Sequence, residues 1–453
     1  MTAIYDSSLN ERERVDAFTS GATPVAIYGL GKMGLPLGAV FADVCSNVIG
    51  VDIDPMVVDA IENGDCPVSG EPELPTLVEQ TVADGSLSAT TDISAASTQA
   101  RVHVAIVPTL LDDNQDPDLS ILRSLLDEIA PNLEPGDIVF IESTVPPGTC
   151  RNELLPLLKR GSGLDCEEFG LAFCPERTSS GTALADIRET YPKVVGGIDP
   201  ESTNTARIVY EQINRTGVIT VPNTETAETV KIAEGVYRDV NIALANDLAA
   251  LSDTLPVDFR EVTAAANTIP FINVHDPGSG VGGHCIPYYP HFLMGQYEAD
   301  FELLETAREI NESMPGITVE LLHEQLEQVG AAIDETSVLV LGVAYKPNID
   351  ETRKTPAKPI LDRLEHEALE VFVNDPVVSN LSEFQGTPVT LSDLDGIELD
   401  AVVLVTHHDA YGAIDWDSFD PLVIVNGRPS ATFEEEKHRV YTIGAGLESP
   451  GSF

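Results

Sequence analysis

Basic residues are the scarcest class in this chain: 25 Lys and Arg stand against 74 Asp and Glu, a formal net charge of −49. Nucleic acid is not expected as a partner at that balance, because binding it depends on neutralising phosphates with Lys and Arg. The acids are spread along the whole length, not gathered in a tail. Such a surface either seeks basic partners or is solvated and screened in concentrated salt, and the even spread favours the second, halophilic, reading. Long apolar runs are also missing: none approaches the roughly 20 residues that span a bilayer. Residues 1–22 lack the apolar core of a secretory signal and read as a flexible lead into a cytoplasmic protein. The six cysteines, Cys45, Cys66, Cys150, Cys166, Cys174 and Cys285, are scattered without a C-x-x-C pair. Neither a zinc site nor a disulfide framework is supported, and most are expected to be small buried hydrophobes.

What is present is ample core material: 43% of the 453 residues are hydrophobic, enough for two or three domains. Pro24–Tyr28 reads as a buried strand. Gly29-Leu30-Gly31-Lys32-Met33-Gly34 follows at once, then an apolar helix over 35–44 and a second strand, Val48–Val51. That strand ends at Asp52, about 20 residues after the glycines, where a ribose hydroxyl acceptor belongs. Strand, glycines, helix, strand and acid in register predict a dinucleotide site, with oriented N–H donors at the helix N-terminus. The carboxylate of Asp52 favours NAD over NADP. Further strands end at Pro108-Thr109 and at Glu142-Ser143-Thr144, so Thr109, Ser143 and Thr144 are either site residues or helix caps.

A long helix is predicted across 226–255, carrying Glu228, Lys231, Asn241 and Asn246; it suits a domain spacer and a dimer interface. Glu228 and Lys231, three apart, also read as an ordinary surface ion pair. Next comes Gly278-Ser279-Gly280-Val281-Gly282-Gly283-His284-Cys285-Ile286-Pro287, whose glycines leave room for a substrate to approach the thiol. A cysteine there, downstream of a nicotinamide site, points to one sequence of steps. An alcohol is oxidised, the aldehyde is trapped on sulfur, and the adduct is oxidised again to an acid. Strands at 337–342, 370–375 and 400–405 make the last third a second α/β unit.

These motifs resemble the UDP-glucose/GDP-mannose dehydrogenase family from about Val25 to Arg428. The shared pieces are the glycine fingerprint, Ser143–Thr149, Phe173–Arg177, Ala227–Lys231, Gly282–Cys285, and Tyr345-Lys346-Pro347 with Asp350 and Arg353. Pro-Glu-Arg at 175–177, Gly-Gly-His-Cys at 282–285 and the run 238–243 resemble the branch that acts on UDP-N-acetyl-hexosamines, UDP-N-acetyl-D-mannosamine first among them. The resemblance implies an α/β protein: an N-terminal Rossmann NAD domain at 23–222, a central helical dimerising segment with the cysteine loop at 223–325, and a C-terminal Rossmann-like UDP-sugar domain at 326–453. It implies an NAD-dependent, four-electron oxidation of a UDP-hexose to the uronic acid, in a cytoplasmic homodimer. Cys285 is then the nucleophile, Lys231 the cation that stabilises developing oxyanions, and Glu176 and Thr144 the residues that position and activate water. Cofactor contacts fall to the residues from Gly29 to Gly34 and to Asp52, Thr109, Ser143, Thr144 and Arg353. Substrate contacts fall to Glu176, Arg177, Lys231, Asn273, Gly280, Gly282, Gly283, His284 and Lys346. Three positions depart from the family pattern: Gly235 stands for Asn, Tyr289 for Asp and Phe271 for Arg. The alternatives they leave open are a protein that binds NAD and a sugar nucleotide without turnover, an oxidation that stops at the aldehyde, and UDP-glucose as substrate.

Overall fold

The computed structural model describes every residue except 298, 429–432, 434–436, 452 and 453. The chain divides into two compact units. The first holds Met1–Glu234 and His291–Tyr297; the second holds Gly235–Pro290 and the described residues after Tyr297.

In the first unit the strands are β1 (Val25–Tyr28), β2 (Val48–Val51), β3 (Leu87–Thr90), β4 (Val102–Ala105), a small hairpin of β5 (Leu110–Leu111) and β6 (Pro117–Asp118), then β7 (Ile138–Ile141), β8 (Gly170–Phe173), β9 (Lys193–Gly197) and β10 (Val218–Thr220). Eight of them form one sheet in the order β10-β9-β8-β7-β4-β1-β2-β3. Every pairing in it is parallel except β8 with β9. Helices cover both faces, so β1, β4, β7 and β8 are buried at every residue instead of alternating, and all their residues but His103 of β4 are hydrophobic or glycine. The helix Ser120–Ile129 shows the covering pattern: Leu122, Leu125, Leu126 and Ile129 recur at helical spacing and all are buried. Chain order reverses between β1 and β4, and the crevice beyond their carboxyl ends is where ligands of such sheets bind.

The residues before β1 are not a flexible lead. Asn10 and Glu13 close a capping box on the helix Glu11–Thr19. Phe18 is fully buried edge-on to Phe41 at 6.2 Å, and Ile4 and Tyr5 are buried as well. Polar composition masked three anchoring side chains, which are enough to dock the segment.

In the second unit the strands are β11 (Ser337–Leu341), β12 (Glu370–Asn374), β13 (Thr387–Pro388), β14 (Ala401–Leu404), β15 (Val423–Asn426), β16 (Arg439–Thr442) and β17 (Gly446–Pro450). Their order is β13-β12-β11-β14-β15-β16-β17, parallel except for β16 with β17. This is the same doubly wound arrangement with its own two core layers. A helix over Thr224–Ala249 carries the chain from one unit into the other. Asp239 on that helix is buried and bound by Arg308 and Asn311 of the helix Glu302–Gln328, at 2.7 and 2.9 Å.

Candidate active site

In the first unit β1 runs directly into Gly29, whose φ of +96° and missing side chain are both required: a Cβ there would lie 2.9 Å from the Ile106 carbonyl oxygen. Gly34 opens the helix Gly34–Cys45, and a Cβ there would lie 1.8 Å from the Gly29 oxygen. Strand and helix therefore meet backbone to backbone. Gly31 differs, with nothing within 4 Å of its Cβ position. The helix N-terminus has no side-chain cap; Leu35 N–H donates to the Gly31 carbonyl at 3.0 Å and Pro36 has no N–H, so in the first turn it is the Gly34 N–H that can meet an anion. Asp52 braces the turn: Oδ2 accepts the Leu30 N–H at 2.8 Å and Oδ1 accepts that of Asp54 at 3.0 Å. Leu30 buries its side chain in the core, so only its backbone faces the turn. Lys32 and Met33 are half-buried, and Met33 Sδ accepts from Thr178 Oγ1 at 2.9 Å. Ile53 and Met56 follow Asp52 with side chains that stay exposed. An open glycine, a helix N-terminus without a side-chain cap and a braced carboxylate fit a dinucleotide.

Beyond β4 and β7 the hydroxyls join loops; they do not cap helices. Ser143 Oγ donates to the Val107 carbonyl and Thr109 Oγ1 to the Thr144 carbonyl, each at 2.7 Å. The surface ion pair of Glu228 with Lys231 does not form. Glu228 is fully buried, and its carboxylate accepts the N–H groups of Gly148 and Cys150 at 2.5 and 2.8 Å, pinning the loop that follows Thr144. Burial pushes the Glu228 carboxyl above its ordinary pKa, against those hydrogen bonds. Lys231 is buried too. Its Nζ donates to the main-chain oxygen of Glu176 and lies 3.6 Å from Glu176 Oε2. Glu176 Oε1 accepts the N–H of Thr178. Two predicted site residues thus meet. Arg177 points elsewhere, paired with Glu234 at 2.7 Å and with the Pro192 carbonyl at 2.9 Å.

Glu176 also lines a cavity of about 30 Å³ with Met33, Glu142, Lys193, Tyr210 and Asn214. Glu142 is buried there, its carboxylate bound by Lys193 Nζ at 2.7 Å and by the Tyr210 hydroxyl. Burial dominates and raises its pKa, with Lys193 opposing. The sequence reading did not single out Glu142 or Lys193; their pairing is set by sheet topology, which brings β7 and β9 to the two sides of β8.

In the second unit the cysteine loop is fastened from both sides. Asn246 of the long helix accepts the Gly278 N–H at 2.9 Å, while Asn241 accepts that of His275 at 3.0 Å and donates to the Asn273 carbonyl at 2.6 Å. The Asn273 side chain is exposed. The Gly283 N–H donates to the Arg353 carbonyl at 2.8 Å, and the N–H groups of Tyr288 and Tyr289 both donate to the Cys285 carbonyl, at 3.1 and 3.0 Å. The glycines serve packing here. A Cβ on Gly282 would lie 2.4 Å from Tyr345 Cβ, on Gly283 3.0 Å from the Tyr345 ring, and on Gly280 3.2 Å from Pro356. Gly280 and Gly283 also need positive φ, +136° and +93°. Cys285 is half-buried at the end of this loop, beside His284. Lys346 is half-buried and Arg353 exposed on the segment beneath it.

The three departures fall in this unit. Tyr289 is buried with its ring over Gly235: a Cβ at 235 would lie 2.0 Å from Tyr289 Cδ2. The two replacements are therefore one packing change. Phe271 is 85% exposed.

Comparison with known proteins agrees with this geometry. Three models of the UDP-glucose/GDP-mannose dehydrogenase family match in chain order: the NAD binding domain at residues 23–214, the central domain at 225–313 and the UDP binding domain at 339–432. A UDP-N-acetyl-D-mannosamine dehydrogenase of Pyrococcus horikoshii is 35% identical over 410 residues, 89% of this chain and 95% of that one. An NDP-N-acetyl-D-galactosaminuronic acid dehydrogenase of Ralstonia nicotianae is 33% identical, with 89% and 95% covered. The solved structure of a UDP-D-ManNAc dehydrogenase from Pyrococcus horikoshii superposes with a TM-score of 0.86 at 32% identity, over 94% of this chain and all of that one. The chain belongs to the UDP-glucose/GDP-mannose dehydrogenase family, whose N-terminal domain binds NAD.

Proposed function

We propose that this chain oxidises C6 of a UDP-N-acetyl-hexosamine, UDP-N-acetyl-D-mannosamine first among them, to the uronic acid in two steps on one enzyme, supplying a donor for glycan biosynthesis. The observation that carries the reading is the contact of Lys231 with Glu176, a buried cation against the carboxylate assigned to water, in the unit that holds the dinucleotide turn. The backbone around Gly31 and the helix N-terminus would hold the pyrophosphate of NAD, and Asp52 its ribose. NAD⁺, when bound, would supply the hydride acceptor for both oxidations. Lys231 stabilises negative charge on the C6 oxygen, an effect worth several kcal/mol in a site that excludes water. Cys285 sulfur bonds the aldehyde carbon, giving a thiohemiacetal and then a thioester. Glu176 and Thr144 orient the water that releases the acid. With Gly235 and Tyr289 in place of Asn and Asp, that last step loses helpers and limits the rate.

The same proposal includes a cytoplasmic homodimer. Tyr237, Leu244 and Leu251, seven apart, leave a stripe of exposed apolar side chains along the long helix and its last turn, and Val262, Ile269 and Phe271 are exposed in the same unit. Leu244→Glu should yield monomers in sedimentation. The reaction is tested by incubating the protein with NAD⁺ in molar salt and each of UDP-N-acetylmannosamine, UDP-N-acetylglucosamine and UDP-glucose. A 2-hexosamine giving two NADH per sugar supports the proposal. Preference for UDP-glucose, or no NADH from any of them, overturns it.

A further inference from the structure

The cysteine loop holds one group that the proposed chemistry leaves without a task. His284 precedes Cys285, and its imidazole hydrogen-bonds the Cys285 side chain. Its Nδ1 is enclosed with no hydrogen-bond partner among the described residues. The backbone that carries the pair is held in place. Gly283 anchors the loop to the Arg353 carbonyl, Tyr345 packs under Gly282 and Gly283, and the Cys285 carbonyl is held by two N–H groups. Three further charged or titratable groups face the pair, all on the 345–353 segment. Glu351 favours a protonated imidazole, Arg353 opposes it, and the Tyr345 phenol is kept protonated by burial and by Glu351. The hydrogen bond to Cys285 is the largest influence on His284 and raises its pKa, against burial.

We propose that His284 is the proton acceptor for the Cys285 thiol and the donor to the departing sulfur. This rests on the reading of Cys285 as the nucleophile. The S–H proton passes to the imidazole as the sulfur electron pair bonds C6 of the aldehyde, and the carbonyl oxygen takes a proton from the Lys231 ammonium. When the second hydride leaves C6, that oxygen returns its proton to Lys231 and the thioester stands. Water then adds, the C–S bond breaks with its electron pair on sulfur, and the imidazolium hands back the proton. The thiol is restored and nothing beyond NAD⁺ and water is consumed. A thiolate is the reactive form of cysteine, and an adjacent imidazolium is one of the few neighbours that sustain it near neutral pH.

The test is alkylation of Cys285 by iodoacetamide, in the intact protein and in His284→Gln, between about pH 5 and pH 9. Peptide mass spectrometry separates Cys285 from the exposed Cys166 and half-buried Cys66. The wild type should show two inflections, one for the imidazolium and one for the thiol, with a plateau between them. In His284→Gln the lower inflection should vanish and the rate near pH 6 should fall by about tenfold or more, one unit of thiol pKa. If His284→Gln does not fold, the two wild-type inflections decide alone. A single wild-type inflection at an ordinary thiol value, or superimposable profiles for the two proteins, overturns the proposal. No sugar or NAD⁺ enters this measurement. A shifted profile without NADH production would leave the pair standing and sink the substrate reading; uronic acid production with superimposable profiles would do the reverse.

Discussion

Gly235→Ala should destabilise this protein, although alanine is the better helix former. Gly235 lies inside the helix Thr224–Ala249, where a Gly to Ala change ordinarily gains about 1 kcal/mol. Here the new Cβ would stand 2.0 Å from Tyr289 Cδ2, 2.9 Å from Cγ and 3.0 Å from Cε2. The ring cannot swing out cheaply. It is 7% exposed, and its own N–H is tied to the Cys285 carbonyl at 3.0 Å. Overpacking of a filled core costs about 1–3 kcal/mol, and an overlap with three ring carbons belongs at the top of that range. The net expectation is a loss of about 2 kcal/mol. In a Tyr289→Ala background the clash is gone and the same substitution should gain about 1 kcal/mol, a coupling of about 3 kcal/mol between the sites. Urea unfolding midpoints of the four proteins in molar salt measure it. Additive effects, or a stabilising single Gly235→Ala, would refute the reasoning. The functional corollary is that Gly235→Asn fails alone and is tolerated only with Tyr289→Asp. That double variant should speed the steady state, since general-base help with a water is worth about 10² to 10⁴ in rate.

Asp52→Ala should narrow the preference for NAD⁺ over NADP⁺, read as the ratio of kcat/KM values, because the carboxylate that repels a 2′-phosphate is gone. An unchanged ratio would remove Asp52 from the cofactor site. Glu228→Ala should unpin two buried N–H groups and cost about 1–3 kcal/mol for each donor left unsatisfied, measured as an unfolding midpoint. Glu228→Gln tests the pH dependence. The folded pKa is raised, so this carboxyl contributes stability in full below its ordinary value near 4.5 and loses it as pH rises through the raised value. The variant should therefore be the flatter of the two above pH 4.5. With a net charge of −49, lowering salt toward about 0.01 M, where the Debye length reaches about 30 Å, should lower the unfolding midpoint. Insensitivity to salt would contradict the halophilic reading of the acids.

The dinucleotide turn was legible because most of its demands are local. Gly29 answers the positive φ of the turn and Gly34 the Gly29 carbonyl five residues before it, and Asp52 ends the next strand of a buried apolar pair; the approach of Gly29 to Ile106 is the one demand that is not local. The cysteine loop was legible as a motif but not in its packing. Whether a glycine faces a ligand or another segment depends on where residues 345–356 fold, and no spacing within 278–287 reveals that. Glu228 was misread for the same reason. At three residues from Lys231 it suits a surface pair, and only the return of the 146–150 loop makes it a buried acceptor. The coupling of Gly235 to Tyr289 joins positions 54 apart, so each departure looked like a separate loss until the ring was seen in the notch.

The central claim is that oxidation passes through sulfur on Cys285. It is tested most directly by mixing the protein with NAD⁺ and UDP-N-acetylmannosamine, quenching in acid during the first turnover, and mapping Cys285 by peptide mass spectrometry. The expected result is a burst of NADH followed by slow turnover, with the sugar nucleotide bound covalently to the Cys285 peptide. In Cys285→Ala both adduct and acid should be absent, whereas Cys166→Ala should behave as wild type. Full uronic acid production by Cys285→Ala would contradict the account.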